Sequence, residues 1–242
     1  MRLGQQDILY VMKNGIHDDE LRHSLRSVAA NVPHRKIWIV GHKPDWVVNV
    51  RHVPTRQRPG RHNKYRNVIN NLKTVLNCPG LTEQFVFFND DFFVMRPIKE
   101  LPVLNRGLLS DLEVEYRKHR YGRYYGGIVR TGRLLRPAGW PKPISYDLHI
   151  PMAMEKRKAK IAVEWIQKHS PKLPPVLFRT VYGNLFDVGG KPVEDVKIYQ
   201  GDDFDGRSTF LSTDDESFEQ SEVGRYIRHS LNEPCHYEKV KY

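Results

Sequence analysis

Two adjacent carboxylates interrupt an aromatic, apolar segment of the chain. Asp90 and Asp91 follow residues 85–88 and Asn89, and the chain turns apolar again at Phe92. This pattern predicts a buried β-strand that carries both carboxylates to its carboxyl end, where open α/β sheets bind ligands. Buried carboxylates need a facing cation or hydrogen-bond donors, and a divalent metal ion holding a diphosphate would meet that need. The alternative is a plain Asn-Asp-Asp turn, since these residues favour turns.

Size and composition set the broad class. The chain has 242 residues, enough for one large domain or two small ones with a substantial core. Its mean hydropathy is -0.60, and no apolar run approaches the roughly 20 residues of a membrane helix, which argues against an integral membrane protein. Cys78 and Cys235 provide no disulfide framework and no metal-ligand spacing. With no signal peptide before the first predicted strand, we expect a cytoplasmic protein.

Charge is unevenly distributed along the chain. The net charge is +11, but residues 1–201 hold 34 Lys and Arg against 18 Asp and Glu, or +16, whereas residues 202–242 hold 5 against 10, or -5. A strongly basic body favours a polyanionic partner such as nucleic acid, an anionic glycan or a lipid surface. The alternative is a solvated basic surface that also serves a diphosphate substrate.

The first hundred residues alternate strands and helices. Residues 7–12 and 36–41 have the composition of strands. The helix between them would begin near 17–20 and bury one apolar stripe, formed by Leu21, Leu25, Val28 and Val32. This order predicts a βαβ unit with parallel strands and a right-handed crossover. A short third strand is expected at 47–50.

A basic loop and a second helix lead to the carboxylate pair. Residues 51–66 are rich in Arg and His and contain Pro54, Pro59 and Gly60, which predicts a loop. The helix that follows would face inward with Val68, Ile69, Leu72, Val75 and Leu76. The sequence therefore predicts that residues 1–105 form a β/α half that resembles a nucleotide-binding domain.

The remainder, residues 106–242, is less regular. Residues 117–125 interleave cations with tyrosines, a mixture that suits nucleic acid and equally suits a carbohydrate site. Helices are predicted at about 152–168, with Pro151 near the first position, at 176–184 and at 216–231. A glycine-flanked acidic loop contains Asp202 and Asp203.

In order, these motifs resemble the stealth family of sugar-phosphate transferases. That family includes bacterial capsule-polymer hexose-1-phosphate transferases and the catalytic core of the lysosomal GlcNAc-1-phosphotransferase. Its four blocks have counterparts along nearly the whole chain: residues 7–15; 20–46 together with 88–93; 149–151 with Arg179; and 201–203 with 234–238. The chain departs from the family at Asn14, where the family has Asp, and at Cys235, where it has Ser. Its compactness fits a bacterial or bacteriophage version.

The resemblance implies one transferase domain over residues 1–242. It would be an α/β protein with a GT-A-like nucleotide-binding βαβ sheet and a helical or irregular C-terminal half, residues 106–242, that completes the site and holds the acceptor. Asp90 and Asp91 would bind Mg²⁺ or Mn²⁺ on the donor diphosphate, and Asn89 would hold a phosphate or sugar hydroxyl. Asp202 and Asp203 would complete the metal site, or else form a solvated acidic loop.

Other side chains would serve the transfer itself. His149 would act as a general base on the acceptor hydroxyl or donate to the transferring phosphate, and Arg179 would neutralise charge on phosphoryl oxygens. Their alternatives are a structural histidine and a surface or ion-paired arginine. Three more cations could reach phosphate, namely Arg26, Lys64 and Arg66.

The leading hypothesis is a metal-dependent transferase that moves a hexose-1-phosphate or a hexose from a nucleotide-sugar to an acceptor hydroxyl. The acceptor is a glycan or, in a phage-type enzyme, a hydroxylated DNA base. A third hypothesis is a non-catalytic nucleic-acid-binding protein on a degenerate transferase scaffold, which Asn14 and the basic body favour.

Overall fold

The computed structural model describes residues 1–13, 19–60, 63–119, 122–172 and 174–239. The strands in these ranges are β1 (Asp7–Met12), β2 (Ile37–Gly41), β3 (Arg51–Val53), β4 (Gln84–Phe88), β5 (Phe92–Val94), β6 (Leu104–Asn105), β7 (Met152–Glu155), β8 (Lys191–Pro192), β9 (Lys197–Ile198) and β10 (Phe210–Thr213). The α-helices are α1 (Asp19–Asn31), α2 (Lys64–Val75), α3 (Leu109–Glu115), α4 (Arg123–Leu135), α5 (Lys156–His169), α6 (Phe178–Leu185), α7 (Asp215–Gln220) and α8 (Glu222–Ser230). Within the described ranges, no helix has the length and apolar character to cross a membrane.

A five-stranded sheet organises the molecule, in the order β3-β2-β1-β4-β7. Strands β3, β2, β1 and β4 are parallel, and β7 joins the β4 edge antiparallel. The α/β class with a parallel βαβ unit is therefore confirmed. From β1 the chain moves outward to β2 and β3, then returns to place β4 on the other side of β1. The strand order thus reverses between β1 and β4, and such a reversal opens a crevice at the carboxyl ends of the two strands.

Both faces of the sheet are covered, which explains the uninterrupted apolar runs of its strands. On one face Leu9 and Phe87 pack among residues of α2, α5 and α6. On the other face Tyr10 and Phe88 pack against α1. The predicted stripe of α1 is buried as expected, at Leu21, Leu25, Val28 and Val32.

Three predicted elements were wrong in place or length. The third strand is Arg51–Val53 rather than 47–50, and Val47 instead forms an isolated bridge with Glu238. Residues Met152–Glu155 are not helical: their alternating burial lets them pair with β4, and the helix begins at Lys156. The C-terminal helix is two helices, because Ser221 adopts an extended conformation between α7 and α8.

A second, smaller sheet joins the two halves of the chain beside the crevice. Its order is β5-β10-β9, with β10 antiparallel to β5 and parallel to β9. Strand β5 begins directly after Asp91, so this sheet places β9, which starts at Lys197, next to the carboxylate pair.

Candidate active site

The turn from β4 to β5 lies at the reversal point of the main sheet. Residues Asn89, Asp90 and Asp91 form this turn, and the amide of Phe92 donates to the carbonyl of Asn89 at 3.4 Å. The adjacent end of β1 is fixed as well, since the carbonyl of Met12 accepts hydrogen bonds from two side-chain amides. Both carboxylates are therefore delivered to a rigid edge, as the aromatic run predicted.

Asp91 has one satisfied and one unsatisfied oxygen. Its Oδ2 accepts a hydrogen bond from Lys197 Nζ at 2.9 Å, and both side chains are largely buried. Its Oδ1 is buried and has no hydrogen-bond partner among the described residues. Burial acts to raise the pKa of Asp91, but the charge of Lys197, its hydrogen bond and the charges of His149 and Lys64 together outweigh burial, so the pKa is lowered. Asp91 is thus held in its ionised form, with one buried oxygen that no described residue satisfies.

Two more carboxylates crowd this position. Burial and the charge of Asp91 raise the pKa of Asp90. Burial and the same charge raise the pKa of Glu20 to about 8. The Glu20 side chain extends from the start of α1 and accepts a hydrogen bond from Thr213 Oγ1 at 2.9 Å. The charge of Asp91 therefore disfavours ionisation of both neighbouring acids, which a cation beside the Asp90–Asp91 pair would relieve.

The pair formed by Asp90 and Asp91 fits a hard divalent cation. A buried carboxylate oxygen without a partner, next to a second carboxylate that resists ionisation, is the donor chemistry that Mg²⁺ or Mn²⁺ satisfies. The described residues contain no group of three His, Cys, Asp or Glu side chains placed to hold a metal ion. Two protein carboxylates are enough where phosphate oxygens and water supply the remaining ligands.

His149 forms a dyad with an aspartate that the sequence analysis did not identify. Its Nδ1 lies 2.7 Å from Asp195 Oδ2, and its backbone amide donates to Asp195 Oδ1 at 2.9 Å. Burial acts to raise the pKa of Asp195, but the hydrogen bonds from His149 outweigh it and lower that pKa to about 2. Because Asp195 is ionised, we assign the imidazole proton to Nδ1, which leaves Nε2 as a proton acceptor.

Arg179 holds the segment that carries His149. The guanidinium is buried and donates to the carbonyls of Leu148 and Ile150, the two residues that flank the histidine. Its plane lies over the ring of Phe92, 5.6 Å from the centroid, and the same ring meets His149 edge-on at 6.2 Å. Arg179 therefore holds the backbone on both sides of His149, and its predicted role in neutralising charge on phosphoryl oxygens stays a prediction.

An aromatic cavity of about 390 Å³ opens at this edge of the sheet. We call it the aromatic cavity because tyrosines dominate one of its walls: Tyr65, Tyr116, Tyr124 and Tyr125. Four of the predicted site residues line it together: Lys64, Asn89, His149 and Arg179. Two of these tyrosines, Tyr124 and Tyr125, come from the Arg/Tyr stretch that we predicted to contact bases or sugars; Arg120 and Tyr121 of that stretch lie outside the described residues.

A second, acidic cavity of about 650 Å³ adjoins the first, and Tyr116 and Tyr199 line both. We call it the acidic cavity after its carboxylates: Glu115, Glu194, Asp195 and Asp202. Arg106 and Lys197 also line it. Arg106 lies 3.4 Å from Asp195 Oδ2 and packs over the ring of Tyr116 at 5.6 Å.

Other predicted site residues have different partners. Arg26 binds Glu238 through two hydrogen bonds of 2.7 and 2.9 Å, which ties α1 to the C-terminal segment. Arg66 donates to the carbonyl of Lys172 at 2.8 Å. Asp202 accepts from the amide of Tyr199 at 2.8 Å, and Asp203 is exposed. The four aspartates predicted as metal ligands do not form one cluster among the described residues, and Asn14 lies outside them.

Three residues at the site were not predicted from the sequence to belong to it, namely Glu20, Asp195 and Lys197. Asp195 and Lys197 lie in the stretch 193–198, where apolar residues at 193, 196 and 198 alternate irregularly with charges. Charges placed among valines and isoleucine were the available signal, but no spacing linked them to residues 100 positions earlier. The pairing of β9 with β10, and of β10 with β5, is what brings Lys197 to Asp91.

No protein-family model and no curated protein matches the chain. Among the solved structures to which the chain is similar is one described as the galactosyltransferase LgtC in complex with donor and acceptor sugar analogs. The two share 10% identity over 96% of this chain and 85% of that chain, with a TM-score of 0.44. The resemblance to the stealth family stays a prediction.

Proposed function

We propose that residues 1–242 form one metal-dependent transferase domain, which moves a hexose-1-phosphate or a hexose from a nucleotide-sugar to an acceptor hydroxyl. The observation that carries the proposal is the His149–Asp195 dyad beside the carboxylate turn of β4. His149 packs on Phe92, the residue after Asp91, and it shares the aromatic cavity with Asn89 and Lys64. A base, a cation-demanding carboxylate pair and a cavity thus meet at one edge of the sheet.

The donor would occupy the aromatic cavity. Its diphosphate would lie toward Asp90 and Asp91, with Lys64 as a further cation on the same wall. Tyrosine rings offer faces on which a base or a sugar ring stacks. A cavity of about 390 Å³ is within the range for small-molecule sites.

Mg²⁺ or Mn²⁺ held by Asp90 and Asp91 would neutralise the diphosphate and the negative charge of the leaving group. The chain supports this position with its own charges. Lys197 keeps the Asp91 carboxylate ionised and oriented, since it donates to Oδ2 and leaves Oδ1 toward a ligand. Asn89 adds a neutral donor and acceptor at the same turn.

The proton of the acceptor hydroxyl would pass to Nε2 of His149. Asp195 accepts from Nδ1 and stabilises the imidazolium that forms. Arg179 keeps the ring in place through the carbonyls on either side of it. The acceptor oxygen then forms its new bond while the bond to the nucleotide breaks.

Two transfers use this arrangement and differ in the atom attacked. Attack at the phosphorus attached to the sugar moves hexose-1-phosphate and releases a nucleoside monophosphate. Attack at the anomeric carbon moves the hexose and releases a nucleoside diphosphate. A screen of nucleotide-sugars with Mg²⁺ or Mn²⁺ therefore identifies the donor and, from the nucleotide released, the reaction.

Asp90→Ala tests whether the chain is an enzyme at all. We expect loss of turnover and of metal-dependent donor binding, whereas Asp203→Ala, an exposed carboxylate in the acidic loop, retains both. If the wild-type protein forms no metal-dependent complex with any nucleotide-sugar, the proposal is wrong and a non-catalytic binding protein becomes the better account.

A further inference from the structure

The acidic cavity has no part in donor binding as proposed above. We propose that it binds the acceptor and that it selects an uncharged, hydroxyl-rich saccharide in preference to nucleic acid. Naming its occupant the acceptor rests on the proposed function, but the binding of a saccharide there does not.

The position of the cavity supports this assignment. His149 lines the aromatic cavity, while Asp195, its hydrogen-bond partner, lines the acidic one. Lys197 likewise lines the acidic cavity and reaches Asp91. The dyad and the ion pair therefore connect the two cavities, so a molecule in the acidic cavity lies next to Asp195 and Lys197, the partners of His149 and of Asp91.

The lining has the chemistry that sugars require. Carboxylates such as Glu194 and Asp202 accept hydrogen bonds from hydroxyl groups, and the buried guanidinium of Arg106 donates them. Tyr116 and Tyr199 present rings at the junction with the aromatic cavity. Tyr199 is 46% exposed, so its ring is accessible to a sugar that enters the cavity.

The charge of the cavity argues against nucleic acid, although the chain carries +11 overall. Among the described residues that line it are four carboxylates and two cations. Three of these carboxylates are exposed, so a phosphate backbone that entered the cavity would meet them: Glu115, Glu194 and Asp202. Like charges at such a surface repel a polyanion and slow its approach. An uncharged saccharide meets no such barrier.

Binding can be measured without turnover by saturation-transfer NMR. The probes are a panel of uncharged trisaccharides and a single-stranded DNA oligonucleotide, each added to the wild-type protein, to Glu194→Lys and to Tyr199→Ala. Glu216→Lys, an exposed carboxylate on α7 that lines neither cavity, is the matched control. We expect saccharide binding that does not depend on salt, that weakens about tenfold or more in both cavity variants, and that is unchanged in the control.

The inference fails if no trisaccharide binds, if Glu194→Lys leaves saccharide binding unchanged, or if DNA displaces the saccharide from the wild-type protein. Titration of a nucleoside diphosphate with Mn²⁺ on the same samples reports separately on the proposed donor site. Saccharide binding without metal-dependent nucleotide binding would leave the saccharide site standing and remove the proposed function.

Discussion

The two edges of the main sheet each hold a buried aspartate, and they differ in how completely its oxygens are bonded. At the amino edge, Asp7 begins β1 and is fully buried. It accepts two hydrogen bonds from Arg35, at 2.9 and 2.6 Å, one from Trp38 Nε1 at 2.8 Å and one from the amide of Thr82 at 3.0 Å. At the carboxyl edge, Asp91 has one partner, Lys197, and an oxygen with none among the described residues.

This difference separates a carboxylate whose oxygens are bonded within the fold from one that has an oxygen without a partner among the described residues. A buried carboxylate with four donors is stable as it stands and binds nothing further. A buried carboxylate with an unsatisfied oxygen costs folding free energy, and clusters of such groups are typical of functional sites. Under the proposed function, the same residue type therefore has opposite roles at the two ends of one sheet.

The largest expected effect is the loss of activity in Asp91→Asn. Removing the ionised carboxylate should lower turnover about 10⁴-fold, because both cation binding and the pairing of Lys197 depend on it. The thermal midpoint should change little, since the relief of the repulsion with Asp90 and Glu20 offsets the loss of the ion pair with Lys197. Activity close to wild type would contradict the role given to this edge.

His149→Ala should come next, with a fall in kcat of about 10³-fold from the loss of the general base. His169→Ala is the matched control, because that histidine is exposed and stacks on Trp165. Steady-state kinetics on both variants measures the effect. A change in KM alone, with kcat retained, would show that His149 contacts the acceptor without accepting its proton.

Asp7→Ala should have the opposite signature to Asp91→Asn. Four donors lose their acceptor, so the free energy of unfolding should fall by about 3 kcal/mol. Arg35 is partly exposed and can be solvated, which limits the loss. Denaturant titration measures stability, and kcat per folded molecule should be unchanged. If Asp7→Ala lost kcat without losing stability, the amino edge would have a functional role and the contrast with Asp91 would be wrong.

Asp195→Asn tests the second aspartate near the carboxyl edge. We expect kcat to fall about 10- to 100-fold, because the tautomer and orientation of His149 are no longer fixed. Since the pKa of Asp195 is lowered to about 2, the carboxylate is ionised throughout the neutral range. The pH profile of the wild-type kcat should therefore show no limb from Asp195 in that range. A variant that keeps the wild-type kcat would reduce Asp195 to a packing role.

The smallest effect concerns stability against pH. The pKa of Glu20 is about 8 in the folded protein and ordinarily 4.5, so the folded state keeps a proton that the unfolded state releases. Its contribution is fully present below pH 4.5 and is lost as pH rises to 8. In Glu20→Gln, the free energy of unfolding should fall by about 1 kcal/mol less over this pH range than in the wild-type protein, a figure that allows for solvent screening. If thermal unfolding shows the same pH dependence of stability for the wild-type protein and for Glu20→Gln, the repulsion among these carboxylates is contradicted.

Sequence patterns predicted the parts of this protein that depend on local order. The alternation of apolar runs identified β1 and α1, and the aromatic segment correctly placed Asp90 and Asp91 at the end of a strand. The same patterns mistook Met152–Glu155 for the first turn of a helix, because a short amphipathic strand after Pro151 also fits a helix start.

The partners of the site could not be predicted in the same way. Lys197 and Asp195 reach the carboxylate edge only because β9, β10 and β5 pair in a small sheet. Arg26 was predicted to bind phosphate, but Glu238 lies 212 positions away in sequence and takes its donors. Contacts of that separation depend on the tertiary fold and leave no spacing in the sequence.

Calorimetric titration of nucleoside diphosphates, with and without Mn²⁺, tests the central claim that the carboxyl edge is a metal-dependent donor site. We predict binding to the wild-type protein only when the metal is present, and none to Asp91→Asn, whose thermal midpoint should change little. Equal binding with and without Mn²⁺, or undiminished binding to Asp91→Asn, would contradict it.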